Sequence, residues 1–182
     1  MDLRYTQITG VSLKKLATPK LNRVRLDATK IQPLDLECLS GLKELIVLSI
    51  PRVQIPNPVL KSIAANCDLC YLDLSGTNFS KGTADALTST MSLKYLSLRD
   101  CKIDEKELLR LTRHNPNLRI ELAVTDVSVA TLTKLTAEGK IASSAQMKRA
   151  IDALYPFNKA DQCKPMISTD RLRPQKASLG AP

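Results

Sequence analysis

Residues that carry most enzyme chemistry are scarce in this chain of 182 residues. Aromatic residues make up only 3%, tryptophan is absent, and the one histidine is His114 in "LTRHNPNL". Nucleophilic and acid-base catalysis in proteins usually places a histidine beside a Ser or Cys nucleophile, and none lies near His114 in the sequence. The sequences typical of phosphate-binding loops, α/β-hydrolases and zinc proteases are missing as well. We therefore expect a protein without catalytic activity or a cofactor.

Long apolar runs are also missing, and none approaches the roughly 18 residues that a membrane-spanning helix requires. The first residues show neither a secretory leader nor an organelle-targeting pattern. The five cysteines are an odd number without the density of a disulfide framework, which favours reduced thiols. Cys67 and Cys70 form a C-x-x-C pair, but no second pair accompanies them, so we predict no metal site. These features predict an intracellular protein, cytoplasmic or nuclear, that does not enter a membrane.

What the chain does have is an internal repeat. Apolar L-x-L pairs recur in phase, and their final residues are Leu3, Leu26, Ile50, Leu74, Leu98 and Leu122. The first interval is 23 residues and every later one is 24. Segments with helical spacing of apolar residues, such as "PVLKSIAAN" and "DEKELLRLTRHN", lie between the pairs. Each unit is therefore predicted to be a short strand, a turn and a helix.

The repeated pattern L-x-x-L-x-L-x-x-(T/C/V)-x-I resembles the leucine-rich repeat family over residues 1–139. Thr and Cys at the ninth position look most like the intracellular ribonuclease-inhibitor-like and cysteine-containing (F-box-associated) subtypes. The resemblance implies an α/β fold, a right-handed solenoid of about six repeats of 23–24 residues. Parallel strands would line its concave face and helices its convex face. Stacked units of this kind share one elongated core, because no unit can bury its apolar side alone.

Within each unit, the fourth, sixth and eleventh positions are predicted to point into the core, which leaves the third, fifth, seventh and eighth positions on the exposed inner surface. Tyr and Arg are concentrated there, and these two residue types often anchor protein interfaces. The alternative is that tyrosines simply suit strands and that arginines keep the surface polar. The predicted partner-binding residues are Arg4, Tyr5, Arg23, Arg25, Arg52, Tyr71, Asp73, Tyr95, Arg99 and Arg119.

The two ends of the chain differ in pattern. Residues 140–156 are predicted to form a capping helix over the end of the stack, because Met147, Ala150, Ile151 and Leu154 share one helix face. Residues 157–182 form a basic tail with little periodicity, which predicts a flexible segment. At the other end no cap is visible, so we expect Val11, Leu13 and Leu16 to face solvent. A preceding chain segment or another subunit would cover this edge, or one frayed repeat is tolerated.

Together these features predict a non-catalytic scaffold or complex subunit that binds a protein partner through the concave face, the N-terminal edge or both. One alternative is the substrate-recognition part of an F-box-type ubiquitin ligase receptor, which would need an F-box-like segment that this sequence lacks. The net charge of +9 supports another alternative, a basic accessory protein of a ribonucleoprotein. The basic residues are scattered rather than clustered, however, which favours a protein partner over nucleic acid.

Overall fold

A computed structural model describes residues 1–154, and the predicted basic tail lies outside the described residues. The described chain is a mixed α/β structure. Its strands are β1 (Arg23–Arg25), β2 (Val47–Ser49), β3 (Tyr71–Asp73), β4 (Asn78–Phe79), β5 (Tyr95–Ser97), β6 (Lys102–Ile103) and β7 (Arg119–Glu121). Its helices are α1 (Gly10–Leu16), a 3-10 helix (Pro33–Leu39), α2 (Asn57–Asn66), α3 (Lys81–Leu87), α4 (Glu105–His114), α5 (Val129–Ala137) and α6 (Ser144–Ala153). No helix in this part of the chain is both long and apolar enough to cross a bilayer.

The main sheet has five parallel strands in the order β1-β2-β3-β5-β7. Each strand pairs with its neighbour at the same position of the unit, so that Tyr71 of β3 lies beside Val47 of β2 and Tyr95 of β5. Arg23 and Arg119 complete the same row at the two sides of the sheet. The register predicted from the repeat is therefore confirmed for all five strands. The strand expected near Met1 is reduced to one parallel bridge between Asp2 and Arg25.

The core lies between the sheet and the helices of the repeated units. Leucine, isoleucine and valine at the fourth and sixth positions point to this side, because alternate residues of a strand face opposite sides of a sheet. Leu48, Leu72 and Leu96 are fully buried there, side by side in β2, β3 and β5. Consecutive helices contact one another from α1 through the 3-10 helix to α4. The helices follow the segments whose spacing predicted them.

The turn after each strand repeats a hydrogen bond and a backbone conformation. At the ninth position, the hydroxyls of Thr6, Thr29 and Thr77 donate to the carbonyl three residues earlier, at 2.6–2.8 Å. The residue before each ninth position has a positive φ, between +53° and +72°. These six residues are Tyr5, Ala28, Arg52, Gly76, Asp100 and Val124. One backbone geometry therefore closes every unit, although only one of the six residues is glycine.

Val124 is the residue of this set least suited to a positive φ, because a β-branched side chain in the left-handed region costs about 1–2 kcal/mol. Glycine at this position would relieve that strain, but it loses more chain entropy on folding than valine does, which costs about 0.5–1 kcal/mol. Val124→Gly should therefore raise the free energy of unfolding by about 0.5–1 kcal/mol, measured by urea denaturation. Val129→Gly, at an equally exposed valine in the first turn of α5, should bring no gain. Equal effects of the two changes would contradict the strain at Val124.

Residues 140–154, the described part of the predicted cap, differ from the prediction in two respects. Residues 140–142 are not helical but extend the sheet beyond β7, where Ile141 forms a parallel bridge with Ile120. The helix itself, α6, packs on the side of the sheet opposite the core, against Ile46, Val47 and Tyr71. We call this side, which carries the third and fifth positions, the front face.

At the N-terminal edge, the expected exposure of the first helix is found in part. Val11 is 69% exposed and Leu16 is 43% exposed. Leu13 is fully buried, contrary to the prediction, because α1 turns this side chain toward the 3-10 helix and joins the core.

Candidate binding surface on the front face

A chain of polar contacts crosses the front face along the fifth positions. The Ser49 hydroxyl lies 2.8 Å from Oδ1 of Asp27 and 3.3 Å from Oδ2 of Asp73. Asp73 also accepts hydrogen bonds from the backbone N–H and the hydroxyl of Ser75, at 2.9 Å and 2.5 Å. Ser97 continues the chain by donating to Glu121 at 2.9 Å. Burial raises the pKa of Asp73, and the hydrogen bonds from Ser75 oppose this shift.

Arginines and carboxylates meet at one end of this chain of contacts. The guanidinium of Arg4 donates to both oxygens of Asp2, at 2.7–2.9 Å, which lowers the pKa of Asp2 to about 2. The Nε atoms of Arg4 and Arg25 lie 3.8 Å and 3.7 Å from the Asp27 carboxylate. These contacts hold Arg4 and Arg25 in place at the surface.

An open cleft of about 780 Å³ lies where the strands end and the turns begin, and we call it the strand-end cleft. Six of the ten residues predicted to bind a partner line it, namely Arg4, Tyr5, Arg25, Arg52, Asp73 and Arg99. Asp27 and Asp100 add two further carboxylates to its lining. Because the turn of every unit has the same geometry, side chains far apart in sequence converge on one surface. The cleft therefore offers guanidinium donors beside carboxylate acceptors.

Of the arginines that line this cleft, Arg52 and Arg99 make the fewest or weakest ion pairs and hydrogen bonds with other side chains. Arg52 is exposed, and its guanidinium has no ion pair or hydrogen bond with residues 1–154. Arg99 has a side chain that is 55% exposed, and its closest carboxylate is Glu121 at 3.9 Å. The side chain of Arg52 lies directly over Gly76, and this position is open to it because glycine has no Cβ. Both guanidinium groups are thus available to a bound molecule.

Three other predicted residues lie beneath or beside α6 rather than on an exposed surface. Tyr71 is only 5% exposed and Arg23 only 4%, so the expectation that they face solvent is wrong. Met147 of α6 and Leu154, which directly follows α6, cover this part of the front face, and Tyr95 packs at its margin. Burial raises the pKa of Tyr71 well above its usual value and also raises that of Tyr95.

Arg119 is the one predicted residue that turns away from both regions. It is exposed, and its guanidinium donates to the carbonyl of Gly139, which follows α5. A cation is favourable beside the carbonyls at a helix C-terminus. This contact explains the position of Arg119 without a partner.

A second cleft, which we call the inner cleft, lies between α6 and the sheet and measures about 460 Å³. It shares Arg4, Arg25, Asp73 and Arg99 with the strand-end cleft. Its other wall is formed by residues of α6 that sequence reasoning missed, including Ser144, Lys148 and Asp152. The apolar third positions, Val47, Tyr71 and Tyr95, were the signal that a segment covers this face, because exposed strand surfaces rarely carry such a row.

The cysteines make no candidate site in the described part of the chain. None of the four at positions 38, 67, 70 and 101 forms a disulfide. Cys67 is buried, and burial raises the pKa of its thiol to about 11. Residues 1–154 contain no cluster of three His, Cys, Asp or Glu side chains that could hold a metal ion. Cys101 instead donates its S–H to the carbonyl of Leu74 in the preceding unit, at 3.3 Å.

No protein-family model matches this sequence, and no curated protein matches it.

Proposed function

We propose that this protein is a short leucine-rich-repeat-like solenoid that acts as a non-catalytic scaffold and binds a protein partner in the strand-end cleft. The solenoid is supported by the 24-residue interval, by the equal register of neighbouring strands and by the left-handed residue that recurs in every unit. Its curvature would place the front face on the concave side.

The observation that carries the binding role is the convergence of Arg4, Arg25, Arg52 and Arg99 on one open cleft. Arginine is among the residues that most often dominate the energy of protein interfaces. The Asp27, Asp73 and Asp100 carboxylates in the same lining would repel a run of phosphates, so the mixed charges favour a protein segment over RNA. We expect the partner segment to present carboxylates to Arg52 and Arg99.

Reversing the charge of Arg52 and Arg99 together should therefore weaken partner binding by at least 10-fold, because each change replaces an attraction by a repulsion. The full chain and the variant Arg52→Glu/Arg99→Glu serve as parallel baits in quantitative affinity purification. Proteins lost with the variant are then purified, and their dissociation constants for both chains are measured by calorimetry.

The matched control is Lys106→Glu/Arg113→Glu, two exposed residues of α4 that line neither cleft. This variant changes the net charge by the same amount and should bind like the unmodified chain. Equal weakening by both variants would show a general charge effect and reject the cleft. Retention that is lost on ribonuclease treatment would support the ribonucleoprotein alternative instead.

A further inference from the structure

Helix α6 is held on the front face by an apolar cluster of its own. Met147 is 2% exposed and Leu154 is 7% exposed, and both pack against Ile46, Val47 and Tyr71. This cluster is separate from the main core, which lies on the other side of the sheet. Loss of the α6 contact would therefore leave the leucines of the main core packed.

The two ends of α6 meet buried charges of the sign that its dipole favours. At the N-terminus, the Ser144 hydroxyl donates to the carboxylate of Glu121, which is 5% exposed. In the last turn, the guanidinium of Arg23 donates to the carbonyl of Ile151 at 3.4 Å. A carboxylate near a helix N-terminus and a cation near its C-terminus both stabilise the helix, and reversing the helix would make both unfavourable. The front face is thus matched to a helix of one polarity.

The dimensions of the front face suit a helix of this length. Glu121 belongs to β7 and Arg23 to β1, at opposite sides of the five-stranded sheet. Four spacings of about 4.8 Å separate these strands by about 19 Å. Ser144 and Ile151, which make these two contacts, are separated by a rise of about 10 Å along α6, and the side chains of Arg23 and Glu121 reach across the remainder. A helix much shorter could not meet both charges.

The contact between α6 and the sheet is incomplete. The inner cleft of about 460 Å³ remains between them, lined in part by Tyr71, Met147 and Ile151. A helix of ten residues is also shorter than the roughly 12–15 residues at which isolated helices become even marginally stable. Its helical state therefore depends on this one surface. A longer or bulkier apolar face would fill the same surface better.

We propose that the front face is a receptor for an amphipathic helix, that α6 is its intramolecular occupant, and that a partner helix of the same polarity replaces α6. The partner helix would carry apolar residues at the spacing of Met147, Ala150, Ile151 and Leu154. The inference depends on the packing of α6 and not on the strand-end cleft, so it stands or falls separately from the proposed function.

The test measures binding of a fluorescent synthetic peptide with the sequence of residues 143–154 to the full chain by anisotropy. In the variant Met147→Asp/Ile151→Asp, two carboxylates enter the apolar contact and α6 should leave the front face. The dissociation constant of the peptide should then be at least 10-fold lower than for the unmodified chain, whose own α6 competes. Equal dissociation constants, or no binding to the variant while its sheet stays folded, would overturn the proposal.

The control Ala145→Asp/Arg149→Asp places two carboxylates on the exposed side of the same helix. It should bind the peptide as weakly as the unmodified chain. Adding Tyr71→Asp to the released variant should abolish binding, because Tyr71 is in the middle of the contact.

Hydrogen exchange of the unmodified chain gives a second test that needs no variant. Amides of α6 should exchange at least 100-fold faster than those of β3 and β5, because α6 opens while the main core stays closed. Exchange of α6 at the same rate as β3 and β5 would mean that the helix leaves only on global unfolding, and this result would overturn the proposal. The protection of β3 and β5 also reports whether the released variant remains folded.

Discussion

Replacing Leu72 with alanine is expected to lower the free energy of unfolding by about 3–4 kcal/mol. Leu72 is fully buried in β3, the middle strand of the main sheet, with Leu48 and Leu96 at the same position of its two neighbours. The loss combines the transfer energy of the removed carbons with the cost of the cavity, which the adjoining strands cannot close. Urea denaturation followed by circular dichroism measures the change, and the midpoint of thermal unfolding should fall by about 6–16 °C.

Leu34→Ala makes the same chemical change in the 3-10 helix, where the side chain is 67% exposed. Its effect should stay within about 0.5 kcal/mol, since little apolar surface leaves water there on folding. A loss at Leu72 no larger than that at Leu34 would contradict a common core behind the sheet. The pair of variants thus tests the position of the core without reference to any partner.

The repeated strands and helices of this protein and the register of its main sheet could be predicted, because the regular interval between units determines both. The interval of 24 residues places Leu48, Leu72 and Leu96 at equivalent positions, and a one-residue slip of any strand would turn its leucines out of the core. The short strands β4 and β6 were not foreseen. They lie beyond the turn and carry no apolar alternation, and their pairing follows from stacking of the units.

The left-handed residues could not be predicted from residue type. Glycine marks such a conformation in a sequence, but only Gly76 does so here, and Ala28, Arg52 and Val124 are ordinary L-residues. Their conformation is imposed by the turn, whose hydrogen bonds at the ninth position recur in several units. Only the position of Gly76 in the repeat could have indicated the conformation of the other five.

The sequence predicted that the whole front face would bind a partner, whereas the structure leaves only part of that face exposed. Pattern alone places Arg23, Tyr71, Arg52 and Arg99 on the same side of the sheet, but it does not say which of them α6 covers. An amphipathic helix that follows a stack can pack on the end or on the sheet, and both arrangements bury the same apolar stripe. The buried charges Arg23 and Glu121, one at each end of α6, account for the arrangement that the structure has.

Gly76→Ala is expected to cost about 2–3 kcal/mol and to disturb the strand-end cleft at the same time. Gly76 has a φ of +72°, a conformation that costs an L-residue about 1–2 kcal/mol. An added Cβ would also lie 2.6 Å from Cγ of Arg52, closer than two carbons can approach, so the arginine must move. Urea denaturation measures the first effect. Calorimetry with a captured partner should show weaker binding, because the Arg52 guanidinium leaves its place.

Gly41→Ala is the matched control, because its φ is not positive and an added Cβ meets no atom within 4 Å. This change should be neutral or stabilise the chain by up to about 1 kcal/mol, since alanine restricts the unfolded chain. In an Arg52→Ala background the colliding Cγ is gone, so Gly76→Ala should then cost about 0.5–1 kcal/mol, which is the backbone strain less the chain entropy gained by replacing glycine. Equal costs in both backgrounds would show that Arg52 does not lie over Gly76. A lower cost with Arg52→Ala would instead establish a direct coupling between the turn at Gly76 and the arginine that the preceding unit places in the cleft.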